Sequence, residues 1–229
     1  ENGADMHSYQ PTAADIVRLH SCDVLIYTGG ESEKWVAEVI KQSDNKNLKA
    51  LNLIELLGDK AVTEREEGTE RRENGDETDE HIWLSLKNAE ILTDKIAAAL
   101  SGADNKNKDI YKTNAAKYAE RLAALDKEYT EALKNARHKT LIFADRFPFR
   151  YLTEDYGLDY YAAFPGCSAE TEASFETVIF LAKKADENGD CIFITETSNG
   201  DIARAVNRNT AKKNKKILTL DSMQSVNKK

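Results

Sequence analysis

Cysteine, proline and histidine are all scarce in this 229-residue chain, with three Cys, three Pro and four His. Cys22, Cys167 and Cys191 lie too far apart for a zinc-type thiolate spacing, and an odd number cannot pair completely within one chain. Buried thiols are one reading; a single disulfide is the other if the protein is exported, and the sequence leaves both open. No apolar run approaches the roughly 18 residues of a membrane helix. The opening "ENGADMHSYQ" has no signal-peptide pattern, which by itself leaves the compartment open. Positive charge is also short: 32 Lys and Arg face 40 Asp and Glu, for a net charge of -8. Neutralising phosphates needs clustered cations, so nucleic acid is not an expected partner. The one basic run, "KKNKK" at 212–216, reads as a solvated loop before a strand. Motifs for covalent chemistry are missing too: G-x-S-x-G, a Gly-rich phosphate loop, H-E-x-x-H and a Cys/His pair in matched loops. An enzyme is not expected.

What is present is an alternation of helix and strand. The length suffices for one large domain or two lobes with a sizeable core. Residues 12–22 read as a helix capped by Thr12, with Asp15 at the capping-box position. A buried strand over 23–30 closes on two glycines. A helix over 32–43 begins at Ser32, and a second buried strand covers 49–56. The stretch 58–80 is almost without apolar residues and holds most of the net negative charge, so it reads as a solvated loop. Helices follow over 85–102 and 106–137. The second of these, with no Pro or Gly inside, is far longer than the usual helix of about 11 residues. Strands at 140–145, 160–164, 191–197 and 216–222 then alternate with helices at 150–158, 174–189 and 200–210.

The expected architecture is α/β: two α/β lobes with parallel sheets, joined by one long helix. The N-terminal lobe is expected over 1–105, the linking helix over 106–137 and the C-terminal lobe over 138–229. Ligands bind outside the carboxyl ends of strands in such sheets, so a cleft between the lobes is the expected site.

His7 and His81 both sit in loops just before a helix start, whereas His20 lies inside a helix and His138 in a helix-to-strand connection. Asp145 and Asp221 stand at the carboxyl ends of predicted strands, where the ordinary role is a turn or helix cap. Together, two imidazoles and two carboxylates would make an N2O2 shell suited to zinc or manganese. The acids of "GCSAETEAS" (166–174) precede a helix, which favours them without any chemistry.

"GADMHSYQPTAADI", "DEHIWLSLKNAEIL", the long helix and "FRYLTEDYGL" together resemble one family over nearly the whole chain. It is the zinc and manganese group of metal-specific solute-binding proteins of bacterial ABC importers. That family carries Gly-x-Asp-Pro-His-x-Tyr-Glu-Pro, then Asp-Pro-His-x-Trp, then His or Glu before Ala-Phe-x-Tyr, and a late Asp after a strand. The resemblance implies that His7, His81 and Asp221 are metal ligands. At the third motif this chain has Arg146, which stays charged and cannot ligate a metal. Asp145 is the substitute if the loop shifts; a three-ligand site completed by water and a weakened site are the alternatives. Arg146 would then pair with Asp221 or Asp145. Met6 and Glu80 replace the prolines after the two Asp residues. The family's N-terminal strand and helix and its final helix are not found, so the chain is expected to be a shortened version of a longer protein.

The resemblance implies capture of a divalent cation, Zn2+ with Mn2+ as the alternative, by a monomer. It further implies a lipid-anchored, extracytoplasmic location and a membrane permease of an ABC importer as partner. The long helix is expected to limit closure around the ion. Histidine ligands must be deprotonated, so affinity is expected to fall as pH drops through about 6.5, the reference imidazole value. The alternative is an adhesin-like interaction protein on this fold with a degenerate metal site.

Overall fold

The computed structural model describes residue 7 and residues 9–63, 78–166 and 172–224. Met6, Cys167 and most of the acidic stretch 58–80 lie outside the described residues. The chain forms two compact units. One comprises Glu1–Val62, Ser85–Glu128 and Gln224–Lys229, the other Thr63–Leu84 and Tyr129–Met223. The segment 63–84 thus goes with the second unit, whereas the sequence suggested the N-terminal lobe.

The first unit begins with α1 (Ala13–Ser21). Its start follows the predicted capping box: Asp15 N–H donates to Thr12 Oγ1, and Thr12 N–H donates back to the Asp15 carboxylate at 3.0 Å. Hydrogen bonds from Thr12 and Tyr9, with Arg18 nearby, hold the Asp15 carboxyl down at about 2. Strand β1 (Val24–Tyr27) pairs in parallel with β2 (Lys49–Asn52), and α2 (Lys34–Lys41) connects them. Helix α2 starts later than Ser32 because Ser32 and Glu33 are committed elsewhere: Ser32 bonds His7, and Glu33 accepts from Gly29 N–H at 2.9 Å.

The predicted strand over 49–56 is half helix. It gives way to α3 (Leu53–Leu57), because the Asn52 side chain accepts from Glu55 N–H and caps a helix there. Ser85 caps α4 (Leu86–Ala103) in the same way. The long α5 runs over Lys108–Lys134, with its residues up to Glu128 in the first unit and the rest in the second.

The second unit is one four-stranded, all-parallel sheet in the order β4-β3-β5-β6. Its strands are β3 (Thr140–Phe147), β4 (Asp159–Pro165), β5 (Cys191–Thr195) and β6 (Lys216–Leu220). Helices α6 (Arg150–Tyr156), α7 (Phe175–Asn188) and α8 (Asp201–Asn209) connect them. Gly157, at φ 61°, supplies the left-handed residue that stops α6. Side chains alternate across β3. Ile142 and Ala144 face a core with Leu181 and Ala185 of α7 and Val206 of α8. Phe143 faces the opposite cluster with Phe147, Phe149 and Leu84. Burial on both faces is what a parallel sheet requires, and each of the larger apolar side chains here contributes about 1.5–3 kcal/mol. Lys215, nearly buried, donates from Nζ to the carbonyls of Ala185 and Gly189 and so caps the C-terminal end of α7. No helix among the described residues is long and apolar enough to cross a membrane.

Candidate metal centre

His81 is fully buried, and its ring is oriented by its own chain. The Asp79 carboxylate, two residues earlier, accepts from both His81 N–H (2.7 Å) and His81 Nδ1 (2.8 Å) through the same oxygen. Asp79 is 1% exposed, so this bond operates away from water. A carboxylate at Nδ1 fixes the tautomer: Nδ1 keeps the proton and Nε2 carries the lone pair. Behind Asp79, Tyr151 of α6 donates its hydroxyl to the Asp79 carbonyl at 2.9 Å. The Trp83 indole meets the imidazole edge-on at 5.3 Å between centroids. A described 3-10 turn, Ile82–Leu84, carries Trp83 toward Ser85 and α4.

The loop holding Asp221 follows β6. It is tied to the His81 segment by Trp83, whose Nε1–H donates to the Ser222 carbonyl at 3.0 Å. Glu196, just past β5, accepts from Ser222 N–H and Ser222 Oγ, both at 2.8 Å. Asp221 accepts from Met223 N–H at 2.8 Å, a short turn that shapes its own loop. Ser222 is therefore held on both sides, and Asp221 stands next to that anchor.

Asp145 has a different occupation. The β3–β4 register slips between Phe143 and Arg146, and β3 meets β5 in register only at Phe143–Phe193. Past that point the Asp145 side chain does the work of the ladder. Its Oδ2 accepts from Thr195 N–H (3.0 Å) and Thr195 Oγ1 (2.7 Å), and its Oδ1 accepts from Arg146 N–H (2.8 Å). The neighbouring Arg146 reaches Thr197 Oγ1 at 3.4 Å.

His7 belongs to the first unit. It is half-buried, and its Nδ1 lies 2.8 Å from Ser32 Oγ. When Nδ1 donates in that bond, Nε2 carries the lone pair here as well. The same unit has a cavity of about 450 Å3 lined by Tyr27, Glu33, Trp35, Glu38, Asn52 and Glu55. Burial, and then the Glu55 charge, raise the Tyr27 hydroxyl above its ordinary value. His20 donates from Nε2 to the Val39 carbonyl (3.3 Å), and His138 packs beside Gly189, so neither is placed like the two loop histidines.

The structure therefore brings His81, Asp145 and Asp221 into one unit and leaves His7 in the other. Among the described residues, no three His, Cys, Asp or Glu side chains are gathered as a group that could hold a metal. Of the supporting residues, Asp79 and Trp83 stand in the Asp-x-His-x-Trp stretch that carries the resemblance, and Ser32 was read only as a helix start. Glu196 was not singled out from sequence.

The sequence matches the family described as zinc-uptake complex component A, periplasmic (ZnuA), over residues 1–229. The chain belongs to the ZnuA family. A zinc-binding lipoprotein AdcA of Streptococcus pneumoniae is 30% identical over 228 residues, which cover 96% of this chain and 44% of that protein. The chain thus spans less than half the length of that relative. The Zn(II)-bound ZnuA-like domain of S. pneumoniae AdcA superposes with a TM-score of 0.75 at 27% identity, covering 99% of this chain and 79% of that one. A laminin-binding adhesin, Lmb, of Streptococcus agalactiae shares the fold at a TM-score of 0.80 and 24% identity, over the whole of this chain and 82% of that one. ZnuA membership agrees with the α/β lobes, parallel sheets and long helix described above.

Proposed function

We propose that this chain is the metal-capturing part of an extracytoplasmic solute-binding protein that delivers Zn2+ to the permease of an ABC importer. The observation that carries the reading is the buried Asp79–His81 pair, a carboxylate-oriented imidazole of the kind that prepares a histidine for a metal. In this reading His81 and His7 supply Nε2 donors and Asp221 supplies a carboxylate. Two imidazoles with one carboxylate favour Zn2+ over Mn2+, which prefers a set richer in oxygen. The zinc named for AdcA and for its ZnuA-like domain supports the same ion. The function is carriage without covalent chemistry. The lipid tether named for AdcA and a monomeric state belong to this proposal too.

Asp145 is the weakest of the four candidate ligands, because its Oδ2 already holds Thr195 at the β3–β5 junction and its Oδ1 accepts from Arg146 N–H. Arg146, at the position where the resemblance expects a ligand, favours a second reading: an interaction protein on this fold with a degenerate site. Calorimetric titration of the metal-stripped protein with Zn2+ and Mn2+, beside His81→Ala, decides between them. Tight one-to-one Zn2+ binding that is lost in the variant supports capture. Absent binding, or binding unchanged in the variant, overturns it in favour of the second reading.

A further inference from the structure

Gly166 follows the last residue of β4 and has no unusual backbone conformation that would call for glycine. Its surroundings do call for it. A Cβ added there would lie 2.6 Å from His81 Cε1, 3.0 Å from His81 Nδ1 and 2.9 Å from the Phe147 carbonyl oxygen. Distances below 3 Å are overlaps, so a neighbour must move. The Phe147 carbonyl is backbone at the end of β3, in register with Pro165 beside Gly166. It yields least. The imidazole must therefore give way, and its surroundings restrict where it can go. Asp79 holds Nδ1 at 2.8 Å, Trp83 stands edge-on at 5.3 Å, and the ring has no exposed surface.

We infer that Gly166 is a positioning residue for His81: its missing side chain lets the imidazole seat against the end of β4, which fixes where Nε2 points. The inference rests on the metal-capture reading for its consequence but not for its geometry. Asp79 sets which nitrogen carries the proton, and Gly166 sets the position of the ring. A side chain at 166 rotates or shifts the ring while leaving Asp79 in place. The metal donor is then displaced without being chemically altered.

The test uses Gly166→Ala, His81→Ala and the double variant beside the unaltered chain. Imidazole nitrogen NMR of the metal-free protein reports the ring, and calorimetry reports Zn2+. Gly166→Ala is expected to move the His81 nitrogen resonances and to weaken Zn2+ binding by about 10- to 100-fold, the usual cost of disturbing a ligand's support. Unmoved resonances, or moved resonances with unchanged Zn2+ affinity, overturn the inference. If the unaltered chain binds no Zn2+, the capture reading fails, and the resonances alone decide the role of Gly166. If Gly166→Ala does not fold, thermal unfolding of the double variant decides. Removing the ring relieves the clash, so the double variant is expected to be about as stable as His81→Ala. A double variant that also fails to fold places the clash on the Phe147 carbonyl and overturns the inference.

Discussion

Asp79 Oδ1 accepts the Nδ1 proton of His81 at 2.8 Å, and neither side chain has meaningful contact with solvent. Taking Asp79 away would leave a buried imidazole N–H and the His81 amide without this acceptor. Asp79→Ala is expected to weaken Zn2+ binding by about 10- to 100-fold. It should also cost about 1–3 kcal/mol of stability, the penalty for unsatisfied buried donors. Calorimetry and urea unfolding measure the two effects separately. Full Zn2+ affinity in this variant would mean that the pair serves the fold alone.

Trp83→Phe keeps an aromatic ring beside His81 but loses the indole N–H that holds the Ser222 carbonyl. We expect a loss of about 0.5–1.5 kcal/mol and faster amide exchange over the loop following β6. Zn2+ binding should weaken as Asp221 loses its anchor. Unchanged exchange in that loop would show that the Glu196 contacts to Ser222 suffice on their own.

Asp145→Ala separates bracket from ligand. As a bracket, Asp145 is expected to be worth about 1–3 kcal/mol, because the variant leaves Thr195 N–H without its acceptor where the β3–β5 ladder has stopped. Its effect on Zn2+ affinity should be smaller than that of Asp221→Ala. The reverse ranking by calorimetry would make Asp145 the ligand and Asp221 the turn.

The Asp15 carboxyl, held down chiefly by the Thr12 hydroxyl, should titrate at about 2 by carbon-detected NMR. A carboxyl depressed in the folded state stabilises it above the ordinary carboxylate range. That contribution is lost as pH falls from about 4, the unfolded value, through the folded value. Thr12→Ala should raise the Asp15 midpoint toward 4 and fray the start of α1. An unmoved midpoint would assign the depression to Tyr9 and Arg18 instead.

The elements that sequence predicted well are those whose determinants are local. The box of Thr12 and Asp15 lies within four residues, at the start of the helix it caps. The strand through Leu141 to Ala144 could be read because a sheet buried on both faces takes a short apolar run. "LNLIEL" was misread because an apolar run suits a strand or a buried helix equally, and Asn52 decides it by capping. Ser32 looked like a helix cap, but a histidine 25 residues earlier takes its hydroxyl. The assignment of 63–84 to the second unit depends on bonds such as Tyr151 to Asp79, 72 residues apart, which no window along the chain can show. At the candidate site, the histidines and Asp221 stood out through their loops and the family resemblance. Gly166 did not, because nothing in its own neighbourhood marks it.

The chain has two tryptophans, and they fall one to each unit: Trp35 in the first and Trp83 in the second. Trp83 touches the His81 ring edge and holds the loop of Asp221 through its N–H. Indole emission responds to both kinds of contact, so the second unit carries a built-in optical probe beside its proposed metal donors. With Trp35 replaced by Phe, the remaining indole fluorescence would come from that position alone. A stopped-flow trace could then time the arrival of an ion without any added dye.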